Sequence, residues 1–226
     1  MAAKLSKKEL KQPDAFQSSI EIIQDYIAEN EKRFYAIVAA IVVATFIAFG
    51  IFMYWSHYQA SASEMYAKAE RNLAQNIVTP DDAMRNIKIY QELIDKYPHS
   101  WSARMAHYHL GNLYYNLGDY DKAIADYNKF VSSRISAHAG IKFLALTSLG
   151  YCYEAKKDYK SALEYYEKAQ KSDNTGFESI GYRNIGRVYE LQNDRKNALE
   201  NYKKALDKAT DPAMVSFIKY KISSLS

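Results

Sequence analysis

Three segments of the chain repeat one pattern of small and large residues at the same internal spacing. In each segment an apolar residue precedes a glycine, a tyrosine follows three residues after that glycine, and an alanine and a second tyrosine come later at fixed distances. Large residues at three- and four-residue intervals form one face of a helix, while glycine and alanine let two helices approach closely. The spacing therefore predicts three helix–turn–helix units. Their glycines are Gly111, Gly150 and Gly186, and their second tyrosines are Tyr127, Tyr166 and Tyr202.

A polar pair stands where each unit needs its turn, at Gly118-Asp119, Lys157-Asp158 and Asn193-Asp194. One such unit cannot bury its apolar face alone, so consecutive units must stack on each other. The pattern resembles the tetratricopeptide repeat, with departures at Phe130, which replaces a small residue, and at Arg195, which replaces the turn tyrosine. The predicted fold is all-α, with an N-terminal transmembrane helix followed by a right-handed helical solenoid of the tetratricopeptide type.

The segments on either side of the repeats predict further helices. Residues 61–78 and 83–97 form two, with Tyr90 and Leu93 supplying the bulk that a degenerate leading unit needs. Pro212 is suited to open a last helix over 213–224, because proline is tolerated in a first turn. One face of that helix, with Val215, Ile218 and Ile222, would cap the exposed end of the stack. About nine helices and no sheet are expected in residues 56–226.

An uncharged, apolar run extends from Phe34 to Trp55. As a helix it would be roughly 33 Å long, enough to cross the hydrocarbon core of a bilayer. The small residues 60–62 suit a signal-peptide cleavage site, but the run is longer than a signal peptide's apolar stretch and begins later. Aromatic residues at both ends are typical of a transmembrane helix at the two interfaces. An uncleaved anchor is therefore the prediction, with cleavage as the alternative.

Basic residues favour one orientation of this anchor. Lys32 and Arg33 adjoin its N-terminal end, whereas Lys68 is the one base before Arg71 on the other side. Cytoplasmic flanks carry the excess of Lys and Arg, so the N-terminus is predicted inside and the repeats outside. The predicted organisation is a cytoplasmic head (1–33), the anchor (34–55), a linker helix with a degenerate leading repeat (56–103), three repeats (104–210) and a capping helix (211–226).

The head carries an amphipathic stripe of its own. Phe16, Ile20, Ile23 and Ile27 lie on one helical face, and Asp14 is a reasonable start for that helix. Such a helix can lie on the membrane surface or dock against the cytoplasmic face of a partner. The alternative is a plain helical extension of the anchor.

The resemblance to tetratricopeptide repeats implies a binding surface on the concave face, which the first helix of each unit lines. Aromatic rings beside amides and a few charges suit an extended or partly unfolded polypeptide. The alternative is that many of the 21 tyrosines only fill space between helices. The groove residues expected by position are Tyr108, Asn112, Tyr115, Asn116, Thr147, Tyr151, Glu154, Arg183, Arg187 and Glu190.

Several other functions find no support in the residues. The clamp that grips the C-terminal carboxylate of cytosolic chaperones needs a lysine where the chain has Tyr108, and its following unit offers Leu144 and Ser148. No nucleophile–base pair, phosphate loop or metal-ligand spacing is present, so no enzyme, cofactor, metal or small-molecule substrate is expected. The net charge of +4 comes from both signs interspersed, which is not typical of a nucleic-acid-binding surface. Cys152 is the one cysteine, and its place in a helix pattern predicts a small buried residue.

The ends of the chain carry a narrower resemblance. The head closes with Ala28-Glu29-Asn30, the anchor is followed by Tyr54-Trp55-Ser56-His57, and the tail has Asp211-Pro212-Ala213 before its final residues 221–226. With the repeats, these segments resemble the YfgM family of ancillary Sec translocon subunits, single-span bacterial inner-membrane proteins. Glu31 departs from the glycine usual in that family, and the repeats here are more regular.

That resemblance implies a non-enzymatic adaptor of the inner membrane with its repeats in the periplasm. Its expected partners are the Sec translocon, a membrane-anchored periplasmic chaperone and emerging polypeptides, and its expected role is to assist the folding of exported proteins. Two alternatives stay open. One is a structural scaffold for an envelope or division complex, and the other is an organelle import receptor whose repeats face the cytosol.

Overall fold

The computed structural model describes residues 15–75, 79–133, 139–172 and 176–226, and within these ranges it has ten helices and no strand. The chain divides into two compact units, Met1–Ser56 and His57–Ser226. The helices are α1 (Ala15–Glu29), α2 (Glu31–Gln75), α3 (Pro80–Lys96), α4 (Trp101–Asn116), α5 (Tyr120–Val131), α6 (Ala139–Ala155), α7 (Tyr159–Ser172), α8 (Glu178–Leu191), α9 (Arg195–Lys208) and α10 (Pro212–Leu225).

The first unit contains α1 and the apolar part of α2. Ile20 and Ile23 of α1 are exposed, while the predicted helix start Asp14 and the side chain of Phe16 lie outside the described residues. By length and composition α2 is apolar enough to cross a membrane, and none of its most apolar segment is buried in the protein. The Thr45 hydroxyl donates to the Ile41 carbonyl oxygen at 2.8 Å, so this polar group is satisfied within the helix.

The helix predicted over 61–78 is not a separate element. α2 runs without a break from Glu31 to Gln75, so the apolar run and the linker helix are one helix. Neither proline nor glycine occurs between Trp55 and Gln75, and nothing in that sequence interrupts the backbone hydrogen bonds. Residues 76–78 lie outside the described residues.

The second unit is a stack of consecutive helix pairs. The end of α2 packs its side chains against α3, with 6.0 Å between the ring centroids of Tyr66 and Tyr90, and three helix pairs follow as α4/α5, α6/α7 and α8/α9. In the leading pair Tyr90 and Leu93 of α3 are fully buried. α10 packs on α9 and covers the last pair with Ile218, which is also fully buried. This is the tetratricopeptide-type solenoid that the repeats predict.

Each repeat is closed by a tyrosine ring that lies directly on the glycine of the facing helix. A methyl group added at Gly111 would come within 2.5 Å of the Tyr127 ring. At Gly150 the distance to the Tyr166 ring would be 2.3 Å, and at Gly186 the distance to the Tyr202 ring would be 3.1 Å. Gly111 and Gly150 are therefore required by the close approach of the two helices, whereas the contact at Gly186 is less tight.

The turns within the repeats follow a single design. Gly118, Lys157 and Asn193 have positive φ angles of 78°, 61° and 59°, which reverses the chain after the first helix. An aspartate follows each of them and accepts a hydrogen bond from a backbone N–H three residues later, as Asp158 does from Ser161 at 3.1 Å. Asp119 and Asp194 cap the other two second helices in the same way.

The ring-on-glycine contact gives a testable prediction. Gly150→Ala forces a methyl group against the buried Tyr166 ring, and we expect it to lower the free energy of unfolding by about 2 kcal/mol, as overpacking does. Gly186→Ala is the matched control, because its methyl group meets the ring at 3.1 Å and the higher helix propensity of alanine offsets the strain. Chemical denaturation of both variants measures the difference. Equal losses at the two positions would contradict the close-approach argument.

Candidate peptide-binding groove

The predicted groove residues lie on the first helices of the three repeats. α4 carries the first four, α6 the next three and α8 the last three. Their accessibility differs. Asn116 is exposed, Thr147 is only 5% exposed, and the remaining eight are partly buried.

A cleft of about 320 Å³ opens between the first and second repeats. A second cleft of about 520 Å³ lies beside it and shares Tyr115 and Tyr151 with the first. The first is lined by Asn112, Tyr115, Asn116, Tyr127, Ser148 and Tyr151. The second is lined by Tyr115, Tyr151, Glu154, Ala155, Lys157, Tyr159, Arg187 and Leu191. Six of the ten predicted residues therefore border these two clefts.

The first cleft is lined without charge, by rings, amides and a hydroxyl. The Tyr127 hydroxyl donates to Asn112 Oδ1 at 2.7 Å, which fixes the orientation of that amide. The Tyr115 ring packs against the Tyr120 ring at an interplanar angle of 59°, with 5.5 Å between their centroids. Rings and amides positioned in this way offer apolar contact area and hydrogen-bonding groups to an extended backbone.

Tyr108 does not line either of the two clefts. Its ring packs against Phe130 and Tyr127, with centroid distances of 5.4 and 6.0 Å. Burial raises the pKa of the Tyr108 hydroxyl. Contacts with neighbouring rings are what the alternative of tyrosines that fill space between helices predicts for this residue.

The charged residues at the boundary of the second and third repeats are paired with each other. Arg187 Nη2 donates to Glu154 Oε2 at 2.8 Å, and its guanidinium lies over the Tyr151 ring at 5.2 Å from the centroid. The buried Tyr166 hydroxyl donates to the same Glu154 oxygen at 2.8 Å. Burial, followed by the proximity and hydrogen bond of Glu154, raises the pKa of Tyr166 well above its usual value. Glu154 and Arg187 thus neutralise each other across α6 and α8.

The same arrangement recurs one repeat later. Lys221 Nζ of α10 donates to both Glu190 oxygens, at 2.8 and 3.0 Å, and the Tyr202 hydroxyl donates to Glu190 Oε2 at 2.7 Å. Burial alone would raise the pKa of Glu190, but the hydrogen bonds from Lys221 and Tyr202 outweigh it and hold that pKa below its usual range. Arg183 donates to Asn184 at 3.0 Å. The three predicted groove residues of α8 are therefore engaged within the protein.

The contacts between successive repeats form a series, here called the ladder. Each contact, or rung, occupies an equivalent position along the repeats. Glu154 and Glu190 each follow their repeat's glycine by four residues, and Arg187 directly follows Gly186. The equivalent rung between the first and second repeats consists of Tyr115 and Tyr151, the two residues shared by both clefts. The cleft thus opens where the ladder has an aromatic rung in place of an ion pair.

Sequence reasoning missed several groove residues. Tyr127 and Ser148 line the first cleft, Lys157, Tyr159 and Leu191 line the second, and Lys221 completes the third rung. The rungs had a sequence signal, since the glutamates stand at a fixed distance from the repeat glycines. The contribution of α10 had none, because α10 lies outside the repeated pattern.

A second polar cluster joins the end of α2 to α3 and α4. His109 Nε2 is 2.6 Å from the Tyr66 hydroxyl, its ring stacks on Tyr90 at 5.5 Å, and Glu70 Oε1 is 3.4 Å from its Nδ1. Tyr90 donates a hydrogen bond to that same Glu70. Burial lowers the pKa of His109, against the opposing effect of the Glu70 carboxylate.

From this cluster we expect the free energy of unfolding to decrease as the pH is lowered. Because the pKa of His109 is lower in the folded state than in the unfolded chain, folded His109 stays neutral at pH values where the unfolded chain binds a proton. Its contribution to the free energy of unfolding is therefore complete above the unfolded pKa of about 6.5 and is lost as the pH falls below it. Denaturant titrations of the full chain in detergent at pH 7.5 and pH 5 measure the loss. His109→Gln, whose amide retains hydrogen bonding to Tyr66 but does not titrate, should show a smaller loss. An unchanged pH dependence in that variant would refute the assignment.

The fold and groove define a helical-repeat protein of the kind that typically serves as a non-enzymatic protein-interaction scaffold. A family model described as "Tetratricopeptide repeat-like domain" matches residues 26–226, so the chain belongs to the tetratricopeptide repeat-like family. No curated protein sequence matches the chain.

Solved structures share the fold at low sequence identity. MamA (41-end) from Desulfovibrio magneticus RS-1 is similar at 19% identity with a TM-score of 0.55, covering 73% of this chain and 88% of that one. A second MamA crystal structure has 18% identity and a TM-score of 0.54, covering 75% and 85%. The N-terminal domain of stress-induced protein-1 from C. elegans has 22% identity and a TM-score of 0.45, covering 52% and 93%.

Proposed function

We propose that the protein is a membrane-anchored adaptor that binds a periplasmic chaperone or emerging polypeptides beside the Sec translocon and so assists the folding of exported proteins. The tetratricopeptide repeat-like fold supports the protein-interaction part of this function. The resemblance of the ends of the chain to the YfgM family motivates the translocon and chaperone as partners.

One observation carries the binding mode. The cleft between the first and second repeats is lined by uncharged rings and amides, while the charges beside it are paired internally as Glu154 with Arg187 and Glu190 with Lys221. In the first cleft a strongly charged ligand would meet no charged lining residue, and of the charges lining the second cleft Lys157 alone stands outside these pairs, so burying a charge there costs desolvation energy. The groove therefore favours a neutral, extended segment with apolar side chains.

The anchor supports a role for weak contacts. α2 is apolar from Phe34 to Trp55 and exposed from Tyr35 to Trp55, and the family match begins before this run, at residue 26. A binding domain tethered to the membrane meets membrane-bound partners at an effective concentration that can reach the millimolar range. Low-affinity contacts with emerging chains suffice under that condition.

The groove assignment predicts the products of site-specific crosslinking. A photo-crosslinking residue at Asn116, which is exposed at the cleft, should yield adducts with the translocon, the periplasmic chaperone or newly exported chains in whole cells. The same residue at Lys203, which is exposed on α9, is the matched control and should yield few. Equal yields of these adducts at the two positions, or none at Asn116, would reject the groove.

Because the lining of the first cleft is neutral, we expect salt to have little effect on crosslinking from position 116 to a reduced, permanently unfolded protein. The quantity measured is the yield of that adduct. Raising the salt from about 0.1 M to 1 M shortens the Debye length from about 10 Å to 3 Å and weakens exposed charge pairs. The adduct yield from purified full-length protein should change less than twofold over this range. A tenfold decrease in yield would instead indicate that the unfolded protein binds through charged groups.

The proposed orientation has its own test. A reporter enzyme that is active only outside the cytoplasm, fused after Ser226, should be active, and the same reporter fused after Arg33 should be inactive. The Lys32 and Arg33 flank motivates this expectation. The reverse result would favour the import-receptor alternative, in which the repeats face the cytosol. A correctly oriented protein whose groove yields only envelope or division proteins would favour the scaffold alternative.

A further inference from the structure

We propose that the turn between α3 and α4, residues 97–101, contacts the phospholipid headgroup layer of the membrane that α2 enters. This inference rests on the membrane anchor proposed above. It concerns a different part of the protein from the groove, and its occupant is the lipid surface itself.

The turn is bound to two adjacent residues of α2. The Tyr58 hydroxyl accepts a hydrogen bond from the His99 backbone N–H at 3.1 Å, and Gln59 Oε1 accepts one from the Trp101 backbone N–H at 3.0 Å. The rings of Tyr58 and Tyr97 meet edge to face, with 5.2 Å between their centroids. These three contacts fix the position of the turn along α2.

That position is close to the end of the apolar run. Tyr58 and Gln59 follow Trp55 by three and four residues of one unbroken helix. Three or four residues of α-helix correspond to a rise of about 5–6 Å. The headgroup region on each side of the hydrocarbon core is roughly 5–7 Å thick. If Trp55 marks the edge of the core, the residues that hold the turn lie within the headgroup layer.

The surface of the turn has the chemistry of a membrane interface. Trp101 packs one edge against Tyr66 at 6.1 Å yet remains 46% exposed, and Pro98 and His99 are exposed beside it. The Lys96 ammonium lies 5.8 Å from the centroid of the Tyr97 ring. Amphipathic rings with a neighbouring cation are favoured at headgroup level, where one part of the ring is desolvated and its polar group stays hydrated.

Tryptophan fluorescence tests this contact directly, because the chain has two tryptophans, Trp55 and Trp101. Trp55→Tyr leaves Trp101 as the only tryptophan and keeps an aromatic residue at the end of the run. The full-length variant is reconstituted in phosphatidylcholine nanodiscs with and without a lipid that carries a nitroxide on its headgroup. We expect the nitroxide to quench about half of the Trp101 emission, as for a ring at headgroup level.

Two further variants separate the inference from the anchor on which it rests. Trp101→Phe leaves only Trp55, whose quenching reports the anchor alone. A Phe217→Trp change in a chain without Trp55 and Trp101 supplies a tryptophan at an equally exposed site, since Phe217 is 45% exposed, and it should keep its emission. Circular dichroism confirms that each variant retains its helix content.

Each outcome decides between these possibilities. Quenching of Trp101 and Trp55 without quenching at 217 supports the contact. Quenching of Trp55 alone overturns the contact and leaves the anchor standing. Equal quenching at 101 and 217 shows general adsorption of the repeats and overturns a specific contact at the turn. If Trp55 itself is not quenched, the anchor fails, and the inference fails with it.

Discussion

The packing of a tyrosine ring on a glycine within each helix pair is the contact on which the rest of the solenoid depends. It sets the separation of the two helices, because a side chain at Gly111 or Gly150 would occupy the space of the ring and one at Gly186 would press on it. It also buries the tyrosine so that its hydroxyl needs an acceptor on the facing helix, since an unpaired buried hydroxyl is costly. Asn112, Glu154 and Glu190 supply that acceptor in the three repeats.

The choice of acceptor then decides the character of the concave face. Where the acceptor is a carboxylate, it needs a cation, and the next repeat provides Arg187 or, at the end of the stack, α10 provides Lys221. Where it is the amide of Asn112, no counter-charge is needed, and the neighbouring positions are free to be tyrosines. The uncharged cleft and the charged ladder are thus two solutions to the same burial problem.

The sequence predicted the parts of this structure that depend on local spacing. The glycines, tyrosines and turn residues lie at fixed distances, so the helix pairs, the reversals at Gly118, Lys157 and Asn193 and the stacking of the pairs could all be inferred. The sequence places the groove on the first helices, but it does not identify which residues line it. Tyrosine serves both cores and binding surfaces, so the sequence does not indicate that Tyr108 packs against Tyr127 and Phe130. The pairing of Glu154 with Arg187 depends on the angle between repeats, which local spacing does not determine. The continuity of α2 does not follow from local composition, because the sequence changes from apolar to mixed polar after Trp55 while the helix continues.

The aromatic rung between the first and second repeats has a consequence for the stiffness of the solenoid. In a linear array of repeats, cooperativity depends on the coupling between each neighbouring pair. Partly buried ion pairs couple the second repeat to the third and the third repeat to α10. At the first junction the equivalent positions hold Tyr115 and Tyr151, and the ion pair there, Lys156 with Asp121, lies on the surface. A segment held between the two rings would add to the coupling at that junction and, because each repeat is coupled to its neighbours, would stiffen the stack.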